Sequence, residues 1–203
     1  MFTGIVEAMG VVQTLEQRQG DVRITIATGD LDISGVQIGD SICTSGCCLT
    51  VIALDEGVMS ADVSTETLSV TTLKHWSHDT AVNLERSLTP STRMGGHFVS
   101  GHVDGIAEVI ERESSARAEV FWLRAPDELA KYIAKKGSVT IDGVSLTVNA
   151  VRGAEFSLTI VPHTLDVTTI GLLHPGAKVN LEVDLIARYL ERLQMGDAAA
   201  HAL

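Results

Sequence analysis

The chain states one pattern twice, and any fold proposed for it has to accommodate both copies. Ser41 to Val51 reads SICTSGCCLTV; at an offset of 97 residues, Ser138 to Val148 reads SVTIDGVSLTV. The same offset pairs Thr3-Gly4-Ile5-Val6-Glu7 with Ser100-Gly101-His102-Val103-Asp104, and Glu66-Thr67-Leu68 with His163-Thr164-Leu165. It also pairs Val82-Asn83-Leu84-Glu85 with Val179-Asn180-Leu181-Glu182, with no gap anywhere. A unit this long, present only twice, is not a solenoid repeat. It implies two duplicated domains, residues 1–90 and 98–185, joined at Thr89 to Gly96 (TPSTRMGG), a stretch rich in turn residues. Residues 186–203 are left over as a terminal helix and tail.

Each half reads mostly as β. Side chains alternate between the faces of a strand, and Val22 to Ala27 (VRITIA) and Glu119 to Arg124 (EVFWLR) alternate in that way. Val58 to Val63 and Phe156 to Val161 are further strands. Short strands separated by Gly and Asp predict a mainly β fold, two closed antiparallel barrels of similar build. A helix is expected in each half. In the second half Asp127 is the N-cap, Glu128 to Lys135 the body and Gly137 the stop; in the first, Asp30 to Gly39 is a weaker version. Short helices should also begin near Ser64 to Leu73 and Pro162 to Ile170.

The last element has no partner in the repeat. Leu185, Ile186, Tyr189, Leu190 and Leu193 fall on one helical stripe, with Asp184 placed to cap it and Gly196 to end it. The stripe has to be buried, either on its own domain or by self-association.

Composition narrows the functions available. A net charge of −11 argues against nucleic acid, whose phosphates need clustered Lys and Arg. No apolar run approaches the roughly 20 residues of a membrane span. The N-terminus (MFTGIVEAMG) lacks a basic region followed by an apolar run, so no signal peptide is expected. Cys43, Cys47 and Cys48 are odd in number, clustered and without a CxxC pair, which supports neither a disulfide framework nor a zinc site. A reducing, cytoplasmic setting is the expectation.

The repeat also acts as an internal control on candidate chemistry. In the echoing strand, Cys47, Leu49 and Val51 share the packing face, as do Val144, Leu146 and Val148. The opposite face carries Gly46, Cys48 and Thr50, and in the echo Gly143, Ser145 and Thr147: small, polar and open to a ligand. Chemistry differs between the halves where Cys48 answers Ser145, Ile5 answers His102, Glu66 answers His163 and Asp62 answers Thr159. Cys48 is either a small packed thiol or a nucleophile, and His102 either a satisfied histidine or a base. Gly4 and Gly101 allow backbone to approach a ligand closely. His97 and His102 lack a spaced carboxylate that would complete a metal triad.

Four motifs in order, MFTGIVE, GCCLTV, GGHFVSGHVDG and IDGVSLTV, make the chain resemble riboflavin synthase of the alpha-chain type, up to about Leu193. The resemblance implies two six-stranded Greek-key barrels and a C-terminal helix that assembles a homotrimer. It implies dismutation of two molecules of 6,7-dimethyl-8-ribityllumazine to riboflavin and 5-amino-6-ribitylamino-uracil, without metal or other cofactor, and it admits lumazine synthase as a partner. Carried over by motif, the N-terminal pocket comprises Gly4, Ile5, Val6, Cys48, Leu49, Thr50 and the turn Asp62, Val63, Ser64, Thr65, Glu66 and Thr67, with Phe2 beside the ligand. The C-terminal pocket comprises Gly101, His102, Val103, Lys136, Ser145, Leu146, Thr147 and the turn Ile160, Val161, Pro162, His163, Thr164 and Leu165. His102 is the expected base. Ser41 or Cys48, or water, is the expected nucleophile, with Asp184 of a neighbouring subunit orienting Ser41. The alternative is a non-catalytic lumazine- or flavin-binding protein of the same fold, from which Cys48 and His102 would be expected to be missing.

Overall fold

The computed structural model of the chain describes residues 1–18 and 20–196; most of the tail that follows the resemblance lies outside the described residues. The first half contributes β1 (Ala8–Arg18), β2 (Asp21–Ala27), β3 (Ser41–Thr44), β4 (Cys47–Thr50), β5 (Ala53–Asp55), β6 (Val58–Val63) and β7 (Ala81–Arg86). The second contributes β8 (Gly105–Ser115), β9 (Ala118–Arg124), β10 (Ser138–Ile141), β11 (Val144–Arg152), β12 (Glu155–Ile160) and β13 (Lys178–Val183).

Alternation does what the sequence reading requires of it. Val22, Ile24 and Ile26 of β2 point inward, as do Phe121 and Leu123 of β9. Each half builds its own core, the second around Phe121, Leu123, Phe156 and Leu158, the first around Ile24, Ile26, Ile42 and Met59. Burial of such side chains contributes roughly 1.5–3 kcal/mol each.

The second half closes in the order β10-β11-β12-β9-β8-β13, six antiparallel strands with no free edge. The first half is an antiparallel sheet in the order β4-β3-β7-β1-β2-β6-β5. Its two edges, β4 and β5, are consecutive pieces of what the second half builds as the single strand β11. The ring is thus interrupted at Val51-Ile52. The counterpart place in β11 is a register shift between Val148 and Ala150. A bulge in one copy is a break in the other.

The helical expectations need correcting in two places. The segment from Asp30 to Gly39 forms turns and no helix, because Asp32 accepts from the Ser34 amide and Asp40 from the Gln37 amide. Those side chains compete with helical bonding, and Gly35 adds to the cost. In the second half the helix shrinks to a 3-10 segment, Asp127–Tyr132, whose cap position is Pro126, with no side-chain cap bond from Asp127. The short helices do form: α1 (Thr65–Val70), capped by Ser64, and α2 (Pro162–Val167), with proline in its first turn.

The terminal helix α3 (Leu185–Gln194) is capped by Asp184, whose Oδ1 accepts from the Ile186 amide at 2.9 Å. It is moored by charge: Arg188 bonds Asp104, and Glu191 receives Lys131 and Tyr132. Its apolar stripe faces away from the barrel. Ile186, Tyr189, Leu190 and Leu193 are all more than half exposed, and Met1 and Phe98 join them in one shallow groove. No helix among the described residues is long and apolar enough to cross a membrane.

The halves are locked by two buried asparagines at equivalent positions. Asn83 donates to the carbonyl of Asp142 and accepts from the amide of Thr169, both at 2.8 Å. Asn180 donates to the carbonyl of Ser45 at 2.8 Å and accepts from the amide of Thr72 at 2.7 Å. Every one of these bonds crosses from one half to the other.

Candidate active site

Two buried carboxylates organise the site. Glu85 on β7 accepts from the Thr3 amide (2.7 Å), the Thr3 hydroxyl (2.6 Å) and the Gly4 amide (2.9 Å). Glu182 on β13 repeats this with the Ser100 amide (2.6 Å), the Ser100 hydroxyl (2.7 Å) and the Gly101 amide (2.9 Å). Burial pushes both carboxyl groups up from their ordinary range, and the hydrogen bonds from Thr3 and from Ser100 pull them back. Such charge-assisted bonds are worth roughly 1.5–3 kcal/mol each. The sequence carries both glutamates in the two copies of the Val-Asn-Leu-Glu motif but does not mark them as site residues. A glutamate repeated amid strand hydrophobics was the available signal.

Each glutamate turns its segment out of its own half and onto the other. Phe2 and Val99 meet in an antiparallel bridge between the two segments. The Cys48 amide then donates to the Gly101 carbonyl, and the Ser145 amide to the Gly4 carbonyl, both at 2.8 Å. Gly4 and Gly101 have φ of +76° and +78°, and a Cβ on them would lie 2.6 Å from Ser145 Cβ and 2.7 Å from Cys48 Cβ. Only glycine fits both the conformation and the space.

The pocket grouping expected from the sequence is therefore crossed. Gly101, His102 and Val103 stand with Cys48, Glu66 and Thr67 around a cleft of about 260 Å³, on the first half. Val103 packs against the core of the first half, and Val6 against that of the second. Gly4 accordingly meets Ser145, and Val6 joins Leu146 and Leu165 against the core of the second half. The repeat offset by itself assigns each opening segment to its own barrel. The carboxylate grip and the Phe2–Val99 bridge send it to the other.

The remaining candidates are placed as follows. Leu49, Val63 and Ile160 are buried core residues. Thr50, Thr65, Thr147, Val161 and His102 are exposed. Asp62 is held by Arg23 through bonds of 2.8 and 2.9 Å, which depress its carboxyl. Ser64 caps α1, accepting from the Thr67 amide at 3.2 Å. Pro162, His163, Thr164 and Leu165 lie on α2. Phe2 is fully buried, with Cys43, Val99 and Cys48 around it. Lys136 adopts φ of +70° at the exposed turn before β10, its amide donating to the Val148 carbonyl at 2.8 Å. Ser41 lines a different depression, of about 270 Å³, with Glu7, Asp40 and Arg86. Asp184 sits at the other half's helix cap, so Ser41 and Asp184 are not brought together within the chain.

Of the three thiols, burial raises the pKa of Cys43 and Cys47 and keeps them packed and protonated. Cys48 alone is partly open and lines the cleft with His102. A thiol and an imidazole at one cleft, matched by a hydroxyl at the equivalent place, suit two similar sites with different reactive groups.

Known proteins agree with this architecture. The lumazine binding domain family matches the chain twice, over residues 3–87 and 100–184. Riboflavin synthase of Photobacterium phosphoreum is 53% identical over 97% of this chain and 90% of that protein, and riboflavin synthase of Brucella abortus is 46% identical over 95% and 98%. Crystal structures of LumP complexed with 6,7-dimethyl-8-(1'-D-ribityl) lumazine and with riboflavin superpose with TM-scores of 0.81 and 0.82. They cover 90% of this chain and 99% of theirs at 23% and 24% identity, which is a likeness of fold. With identities of this size over nearly its whole length, and with two lumazine binding domains in tandem, the chain belongs to the riboflavin synthase family.

Proposed function

We propose that the chain catalyses the dismutation of two molecules of 6,7-dimethyl-8-ribityllumazine, one giving a four-carbon unit to the other, to form riboflavin and 5-amino-6-ribitylamino-uracil. The observation that carries this is the crossed pair of sites: one molecule in two roles is served by two sites of one shape and unequal chemistry.

The first lumazine lies in the cleft of Cys48, Glu66, Thr67 and His102, the second against Gly4, Ile5, Val6 and Ser145. The 7-methyl group of one lumazine loses a proton, with His102 as the base. The other is activated by addition to its ring of water or of the Cys48 or Ser41 side chain. Holding the two planar molecules face to face in attack geometry supplies roughly 7–11 kcal/mol of the barrier, the largest share.

One molecule has to meet another, so we read the working unit as a homotrimer in which a first site meets a neighbour's second site. The uncovered stripe of α3, with Met1 and Phe98, supports that reading: it is an apolar face that a lone chain leaves in water. In such an assembly Asp184 approaches Ser41 of the neighbour, while Lys136 serves the second site beside Thr147. Association with lumazine synthase and a cytoplasmic setting fit the chemistry of the substrate.

The test is to incubate the purified chain with 6,7-dimethyl-8-ribityllumazine and follow riboflavin and 5-amino-6-ribitylamino-uracil in equal amounts. Tight binding with no product in a verified trimer would replace the enzyme by a binding protein.

A further inference from the structure

His97 belongs to neither copy of the repeat. By the offset, its counterpart would precede Met1. It nevertheless reaches the centre of the second site. Nδ1 lies 2.7 Å from Ser145 Oγ and Nε2 3.2 Å from Thr140 Oγ1. Gly96 makes the approach possible, since a Cβ there would lie 2.8 Å from both Cβ and Oγ of Ser145 and 2.1 Å from the Thr3 carbonyl. The His97 amide donates to that same carbonyl at 3.1 Å.

Among the described residues the first half has no equivalent hydrogen-bonded imidazole. Thr140 and Ser145 pair across β10 and β11 as Cys43 and Cys48 pair across β3 and β4. Around the cysteines the packed neighbours are Phe2 and Val99, and although His102 lines the cleft beside Cys48, among the described residues no imidazole hydrogen-bonds to Cys43 or Cys48.

The hydrogen bonds define the tautomer. Thr140 is 1% exposed, and among the described residues its hydroxyl has Nε2 as its sole hydrogen-bond partner. A buried hydroxyl that only accepted would leave its proton unpaired, so it donates to Nε2. A neutral ring then carries its proton on Nδ1 and donates it to Ser145 Oγ. Burial lowers the pKa of His97, with Asp184 opposing, which favours that neutral ring. The Ser145 oxygen is satisfied as an acceptor, and its own proton is left to point outward.

We propose that His97 is a positioning residue that fixes Ser145 as a hydrogen-bond donor toward the second lumazine, and so gives the two sites unequal affinities; this rests on the reading of the chain as a lumazine-binding enzyme. The recognised atom is an acceptor of the ligand, a ring carbonyl, a ring nitrogen or a ribityl oxygen. The chain Thr140–His97–Ser145 orients a donor where the Cys48 site offers only a weak thiol donor.

The test is fluorescence titration of the full-length protein with 6,7-dimethyl-8-ribityllumazine, resolving two dissociation constants per chain. His97→Ala should weaken one of them about tenfold, the loss of one good hydrogen bond, and leave the other unchanged. His97→Asn, whose amide can donate from the Nδ1 position, should restore the lost affinity to within about twofold. Thr140→Val should weaken the same constant in the natural chain and have no further effect in the His97→Asn background. Should His97→Ala not fold, the Asn and Val variants decide between the same outcomes. Equal weakening of both constants, no rescue by Asn, or an additive Thr140→Val effect would overturn the assignment. Absence of lumazine binding by the unsubstituted chain would overturn the functional reading beneath it as well.

Discussion

Cys48 and Gly101 stand in opposite halves of the chain, yet the amide of one donates to the carbonyl of the other at 2.8 Å. That bond, with its twin between Ser145 and Gly4, makes each site a joint product of both halves. Neither domain cut from the other retains a whole pocket.

Gly101→Ala puts a Cβ 2.7 Å from Cys48 Cβ at a φ of +78°, and Gly4→Ala does the same against Ser145. We expect each to cost roughly 1–3 kcal/mol of stability, from left-handed strain and the clash. Each should weaken only one lumazine site, Gly101→Ala the Cys48 site and Gly4→Ala the Ser145 site. Thermal unfolding and two-site titration check this; a pattern in which each glycine disables the site of its own half would restore the uncrossed arrangement.

Cys48→Ser should slow turnover on the order of tenfold, about 1.4 kcal/mol, because positioning carries most of the rate. His102→Gln should cost more, on the order of a hundredfold, the low end for a general base. Steady-state rates of riboflavin formation check both. A folded, lumazine-binding Cys48→Ser chain with no activity would make the thiol a required nucleophile.

Asp142 links stability to pH. Its carboxyl is pushed up to about 7 by burial, which outweighs the bond from the Asn180 amide. Between its ordinary value near 4 and about 7, the folded chain holds a proton that the unfolded chain has lost. Stability should therefore fall as pH rises through this window, by up to about 1.4 kcal/mol per pH unit from this group. Glu85 and Glu182, raised by burial, add with the same sign. Asp142→Asn keeps an acceptor for the Asn180 amide and should flatten the slope while gaining stability at pH 8. Denaturant midpoints at pH 5 and 8 for both chains give the answer.

Leu190→Glu places a charge in the exposed stripe of α3. The folded chain should be little changed in stability, since the site is already in water. Assembly should be lost and turnover with it, while lumazine binding per chain survives. Sedimentation velocity beside a riboflavin assay checks it; a monomeric variant with full activity would remove the need for a neighbour.

The sequence by itself carried a good deal of this. The register of the duplication, the alternation in strands such as Val22 to Ala27, the packing face Cys47-Leu49-Val51 and the cap at Asp184 are properties of neighbouring residues. They are written where they act. The motifs GCCLTV and IDGVSLTV named the family and placed Cys48 and Ser145 on equivalent strands. What only the tertiary structure decided is which segment meets which strand. Nothing local to Gly4 or Gly101 says that each crosses to the other half. That follows from Glu85 and Glu182 satisfying three donors apiece and from Phe2 pairing with Val99, contacts made far along the chain. His97 was hidden for the same reason. The repeat highlights what is said twice, and this residue is said once, gaining its place only when Thr140 and Ser145 are folded against it.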